Sequence, residues 1–115
     1  MKFKQWNEAT NEWFKEKGIY KKGNILAQFD KLEEEVQELQ ESLTAKTKSV
    51  QHFTDSKGRL QETNEAIKDA IGDCTVVLRG LCGMMDLDLL DCMNHAYKNI
   101  KERKGKMING QFVKE

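Results

Sequence analysis

The sequence predicts an all-α fold, and three observations carry that expectation. Proline is absent from all 115 residues, so nothing in the chain removes a helical N–H or forces a kink. Charged residues make up 33% of it, and the longer segments are dominated by Glu, Lys, Gln and Leu, all good helix formers. Within those segments apolar residues return at alternating steps of three and four, the spacing of a helix that buries one stripe against another helix. The length suits one domain, residues 1–115, with room for one modest core. The expected architecture is a four-helix bundle unit with a short hairpin-like tail at the C-terminus, assembling as an oligomer.

A first helix is expected over residues 3–16, with Phe3, Trp6, Ala9, Trp13 and Phe14 on one side and Gly18 ending it. "KKGN" then makes a turn, and Asn24 is placed to cap the second helix. That helix covers 25–44, on the seam Ile25, Phe29, Leu32, Val36, Leu39 and Leu43. The following "TAKTKSVQHFTDSKGRLQET" has no sustained period and reads as a long connection, of the kind that is often functional. A third helix, capped near Thr63 or Asn64, repeats the seam with Ile67, Ile71, Cys74, Leu78 and Leu81, and Gly83 is expected to end it. Asp86 is expected to cap a fourth helix with the stripe Leu87, Leu90, Met93, Tyr97 and Ile100 and a basic last turn of Lys101, Arg103 and Lys104. Asn109-Gly110, between two short apolar pairs, predicts a two-residue hairpin turn.

Lys+Arg and Asp+Glu balance at 19 each, which gives no global field for a nucleic acid polymer or an anionic membrane surface. Cys74, Cys82 and Cys92 sit in apolar stretches without CxxC spacing and point to a reducing compartment. No apolar run approaches the ~18 residues of a spanning helix, and the N-terminus has no apolar signal core. A soluble, cytoplasmic protein is expected. The segment from Cys74 to Met85 is apolar nearly all round, Arg79 excepted, which predicts a homodimer or tetramer.

Chemistry enters with "QFDKLEEEVQELQESL", which crowds five glutamates onto the second helix. At roughly 100° per residue, Glu33, Glu34 and Glu41 project away from the Leu32/Val36/Leu39 seam and read as solvated surface. Glu35 and Glu38 instead lie along one flank of the seam, in line with Gln28 and Lys31. On the third helix Asp69 and Asp73 lie one turn apart on a matching flank, while Glu65 points outward. If the seams pack together, four carboxylates converge at the edge of the core. Two unit charges ~4 Å apart repel by ~4 kcal/mol at an effective dielectric of ~20, so such a cluster needs protons or a cation. An oxygen-only set suits Mg²⁺ or Mn²⁺ better than Zn²⁺.

A di-iron carboxylate bundle is the competing pattern, but it requires Glu-x-x-His on two helices, and neither His52 nor His95 follows a Glu by three. Asn94, Lys101 and Lys104 project to the same side of the fourth helix as Leu90 and Tyr97. They read either as lysines snorkelling at a basic helix end or as a cationic rim for phosphates. Trp6, Trp13 and Tyr97 read as core aromatics or, alternatively, as candidates to stack on a ligand ring.

Taken together, "KLEEEVQEL", "KDAIGDCTVVL" and "IKERKGKMINGQFVKE" resemble the MazG-like all-α nucleoside triphosphate pyrophosphohydrolases, small phage-type members especially, over residues 24–115. The resemblance implies Mg²⁺-dependent hydrolysis of a (deoxy)nucleoside triphosphate to the monophosphate and pyrophosphate, a homo-oligomer, and for a phage protein the bacterial host cytoplasm. Carried onto this chain, the family's ExxE is Glu35 and Glu38 and its ExxD aspartate is Asp73; these are the expected catalytic and metal-binding residues. Ala70 stands where the family has a glutamate, and Asp69 is the expected replacement ligand. Gln28, Lys31, Asn94, Tyr97, Lys101, Arg103 and Lys104 are the expected substrate-binding residues. The alternative reading is a non-catalytic helical interaction protein that retains the fold.

Overall fold

The computed structural model describes residues 1–115. Its centre is a pair of long antiparallel helices, α3 (Ile25–Thr47) and α4 (Thr63–Met84), preceded by α1 (Phe3–Glu16) and the single turn α2 (Ile19–Lys22), and followed by α5 (Leu89–Ile100). Lys46 Nζ donates to Asn64 Oδ1 at one end of the α3–α4 pair, while Glu35 meets Asp73 further along, which fixes the antiparallel sense. Asn24 caps α3 as its sequence predicts, its side chain accepting from Ala27 N at 2.8 Å.

The fold is mostly helical with two short antiparallel hairpins, of which the first departs from the expectation and the second is the C-terminal hairpin it included. The unpatterned connection contains β1 (His52–Thr54) and β2 (Leu60–Glu62), with Phe53 opposite Gln61. Three-residue strands are too short to display an alternation of period two, so the sequence carries no strand signal there. The second hairpin, β3 (Gly105–Ile108) and β4 (Gln111–Lys114), turns at Asn109 (φ 50°) and Gly110 (φ 81°), the pair of left-handed residues that the Asn-Gly signal predicts.

Helix boundaries shift where tertiary contacts decide them. Glu62, one residue before the expected cap, starts α4; its carboxylate accepts from Asn64 N (3.3 Å) and Glu65 N (2.7 Å). Gly83 does not end α4. A Cβ there would overlap the Tyr20 ring, and one at Gly80 would overlap the Phe14 ring, so these two glycines form the notch in α4 that receives α1 and α2. Phe14 is the buried residue of α1, and its ring stacks on Tyr20 with centroids 5.6 Å apart. Asp86 (φ 54°) takes the left-handed position after α4, and Leu87 N donates back to Cys82 O at 2.8 Å, closing the helix end. Asp88, rather than Asp86, caps α5 by accepting from Leu90 N at 2.8 Å. Because α5 ends at Ile100, Lys101, Arg103 and Lys104 lie in the turn beyond it rather than in its last turn.

The face that α3 presents to α4 differs most from expectation. The buried residues of α3 are Glu35, Ser42 and Ala45, and those of α4 include Thr63, Ala70 and Val77. Small side chains on both sides let the helices meet along the flank, not along the large apolar seam. Val36 (50% exposed), Leu43 (44%), Ile71 (53%) and Leu78 (43%) remain uncovered. In an antiparallel pair, the residue after each facing residue turns by about 100° to the same side, so these four share one outer face. Trp13 of α1 is also exposed, as are Leu90, Met93, Tyr97 and Ile100 of α5. The radius of gyration is 16.8 Å, against about 13 Å for a compact chain of this length. No helix is long and apolar enough to cross a membrane, and all three cysteines are free.

Candidate metal centre

Rotating α3 onto its flank turns the stripe Gln28, Lys31, Glu35 and Glu38 toward α4, where Ser42 continues it. Ser42 is fully buried and donates through Oγ to Leu39 O at 2.9 Å, so its hydroxyl is satisfied within the helix. Glu35 is only half satisfied: its Oε1 faces Lys31 Nζ at 3.5 Å. Its side chain is 8% exposed, and its Oε2 is buried without a hydrogen bond. Glu35, Glu38 and Asp73 each offer a carboxylate oxygen within 4.8 Å of the others, bringing together three of the four residues the sequence projection selects.

Asp69, the fourth, is exposed; it lines the same cavity but lies outside that close group. The Asp69–Asp73 spacing is four residues, and the shorter aspartate leaves the first member one turn away from the cluster. Ala70, where the resemblance would place a glutamate, is 3% exposed and forms part of the cavity wall.

Burial pushes the Glu35 carboxyl up, and the adjacent Glu38 and then Asp73 charges push it further. Glu38 moves the other way. Its partial burial works to raise it, but the adjoining Glu35 carboxyl and the cations Lys57 and Arg59 outweigh that and lower it. One member of the pair is therefore prone to hold a proton while the other stays ionised, unless a cation neutralises both. Lys31 Nζ sits 3.4 Å from Glu34 and 3.5 Å from Glu35 at the solvent edge; the two carboxylates hold its ammonium more firmly charged despite the opposing effect of burial.

The cavity beside the cluster measures about 160 Å³. Its far wall is the β1–β2 hairpin, including Phe53, Asp55 and Arg59, and Glu41 closes one edge. Glu41 is half-buried there, not on the solvated surface its projection predicts, because the contact face of α3 is rotated. Asp55, Lys57 and Arg59 carry no periodic signal in the sequence. The available clue is the turn residue Gly58 inside an otherwise irregular connection, following an aspartate that can bond its own turn.

The remaining expected substrate residues lie elsewhere in the chain. Asn94 and Tyr97 are exposed on α5, and Lys101, Arg103 and Lys104 follow it; none lines this cavity. Arg103 and Lys104 instead border a separate open pocket with Lys98 and Lys114. Gln28 is half-buried on the α3 stripe without lining the cavity, and Trp6 and Trp13 sit on α1. His52 and His95 are exposed and outside the cluster, as expected from their sequence positions.

Comparisons with family models, curated proteins and solved structures give no match for this chain. The residues of the cluster and their geometry therefore carry the functional argument.

Proposed function

We propose that this protein is a divalent-cation-dependent hydrolase of a nucleoside triphosphate, of the MazG-like kind, releasing the monophosphate and pyrophosphate. The observation that carries the reading is the orphaned, buried Glu35 Oε2 inside a group of three carboxylates on matched antiparallel helices. A buried carboxylate without a hydrogen bond is costly unless protonated or bound to a cation. Oxygen donors alone, at the edge of a small open cavity, fit Mg²⁺ or Mn²⁺.

Glu35, Glu38 and Asp73 would hold the ion, with Asp69 reaching it only indirectly. A bound Mg²⁺ or Mn²⁺ supplies neutralisation of phosphoryl charge and lowers the pKa of water. The chain's own residues then have distinct tasks. A cluster carboxylate not fully engaged as a ligand would accept the proton of the attacking water. Lys31 neutralises charge at the α3 edge of the site. Phe53 is the aromatic that borders the cavity, and it takes the base-stacking role assigned from sequence to Trp6, Trp13 or Tyr97.

A second copy of the chain completes the unit. A monomer of 13.3 kDa exposes about 6,450 Å² of surface, whereas this chain exposes 8823 Å². The excess is roughly 2,400 Å² per chain, above the ~800 Å² each partner buries in a standard interface. The outer face of Val36, Leu43, Ile71 and Leu78 supplies the apolar surface for that contact. In such an assembly α5 and the basic turn after it are free to serve the partner's site.

Incubation with a panel of nucleoside triphosphates and Mg²⁺ should release pyrophosphate, and a folded protein that releases none from any of them would not be this enzyme. A second reading, a helical interaction protein that kept the fold without the activity, is favoured by Ala70 at the family's glutamate position. Glu38→Gln separates the two: it abolishes turnover in the enzyme and changes almost nothing in the interaction protein.

A further inference from the structure

The β1–β2 hairpin brings two cations onto one of the candidate metal ligands. Lys57 Nζ and Arg59 Nη2 both lie 3.4 Å from Glu38 Oε1. These contacts are long for charge-assisted hydrogen bonds, and both cationic side chains are 54% exposed. The pairing is therefore weak and exchangeable.

The backbone that carries them is firmly held. Asp55 is nearly buried, and its Oδ1 accepts from Lys57 N (3.0 Å) and Arg59 N (2.9 Å). Its Oδ2 accepts from Arg59 Nε (2.9 Å) and Gln61 Nε2 (3.1 Å). Gly58, at φ +80°, makes the turn between the two cationic residues. Asp55 thus anchors the Nε edge of the Arg59 guanidinium and leaves its Nη2 end directed at Glu38, across the cavity that holds Asp69 and Asp73.

Two kinds of cation compete for Glu38: the hairpin pair, and any divalent ion drawn by the orphaned Glu35 Oε2 beside it. An ion on the cluster takes up the Glu38 charge and repels Lys57 and Arg59 from it. The pair then stands beside a divalent cation with no carboxylate partner of its own except Asp55. Arg59 lines the cavity and Lys57 reaches Glu38 from beside it, so with the ion they gather three positive groups about Glu38; such a group fits an anion that presents several oxygens, and the guanidinium fork matches a phosphoryl group.

We propose that the β1–β2 hairpin is a phosphate clamp, in which Arg59 and Lys57 exchange Glu38 for the phosphate oxygens of a polyphosphate ligand bridged to the divalent cation, with Asp55 as the positioning residue. The clamp rests on the metal-site reading above and adds its phosphate-binding residues and the exchange that engages them. Neither follows from the helical motifs, because both cations belong to the connection between the helices.

The test measures two affinities separately on the full chain. Mn²⁺ binding alone is followed by electron paramagnetic resonance, and inorganic pyrophosphate binding is followed calorimetrically with Mg²⁺ in excess. In Lys57→Ala and in Arg59→Gln, pyrophosphate should bind about tenfold more weakly or worse, as expected for a lost charge-assisted contact. Mn²⁺ alone should bind those variants as tightly as the wild type or more tightly, because a competitor for Glu38 is gone. Arg59→Lys should recover part of the pyrophosphate affinity. Lys57 makes one ion pair and is half exposed, so its replacement leaves the fold intact even if an Arg59 variant is destabilised. Bound Mn²⁺ with unchanged pyrophosphate affinity in both variants would overturn the clamp and leave the metal site standing. A wild type that binds no Mn²⁺ would overturn the metal site, and the clamp with it.

Discussion

Glu35 is the residue on which stability and the proposed function pull in opposite directions. Its folded-state carboxyl is raised, first by burial and then by Glu38 and Asp73, so its ionisation opposes folding. That penalty is absent at pH values where both states are protonated, and it grows as pH rises through the ordinary carboxylate range toward the folded value. Without added metal, Glu35→Gln should therefore raise the unfolding temperature at pH 8, by on the order of 1 kcal/mol in stability, and change little at pH 4. Millimolar Mg²⁺ should stabilise the wild type more at pH 8 than at pH 5 and should not stabilise Glu35→Gln; equal effects at both pH values would argue that no cation meets this carboxylate. The Glu35/Glu38 pair was legible from helix projection because both residues share a stripe four and three positions along α3. The role of Glu41 was not, since its burial depends on which side of α3 meets α4.

Among the elements, the β1–β2 hairpin depends on one side chain and the α1–α4 contact on one missing side chain. The backbone and side-chain donors around Asp55 hold its carboxyl down to about 2. A depressed acid stabilises the fold above its unfolded pKa, near 4, and that contribution is lost as pH falls from there to about 2. The amide signals of Lys57 and Arg59, both bonded to Asp55 Oδ1, should titrate with a midpoint near 2, and Asp55→Asn should remove that transition; a midpoint near 4 would mean that the hairpin does not hold the carboxylate. At the α1 contact, Gly80→Ala places a methyl into the Phe14 ring and should cost about 1–3 kcal/mol in urea denaturation. Gly72→Ala on the same helix meets nothing within 4 Å and should stabilise it by roughly 0.5–1 kcal/mol. Helix periodicity placed α1 and α3 closely and α5 less so, and it could not distinguish a glycine that ends a helix from one that admits a ring. That distinction rests on Tyr20, more than sixty residues away from Gly83.

For the whole molecule, only 12 of 115 residues are buried, too few for the large apolar seams that the chain carries. Sedimentation at micromolar concentration should give at least twice the monomer mass, and Leu78→Glu should shift it toward the monomer with a lower unfolding temperature. A wild type that sediments as a monomer at those concentrations would contradict the second-copy assignment. The Cys74–Met85 segment already pointed to excess apolar surface from composition alone. Spacing had marked Val36, Leu43, Ile71 and Leu78 as seam residues; that they lie away from the mutual contact of α3 and α4 was not legible in it.

The existence and order of the long helices, the Asn24 cap, the Asn109-Gly110 turn and the acidic stripe were all legible in short-range sequence, because each depends on residues near one another along the chain. The rotation of α3 on α4, the uncovered apolar seam and the approach of Lys57 and Arg59 to Glu38 came from packing between segments some twenty to forty residues apart. An apolar stripe specifies that a helix will be covered, but its period is the same whether its own chain or another covers it. Here the smaller residues Ser42, Ala45, Ala70 and Val77 are the ones buried, and that choice carries Glu35 into the interior, where its unpaired oxygen becomes the centre of the proposed site.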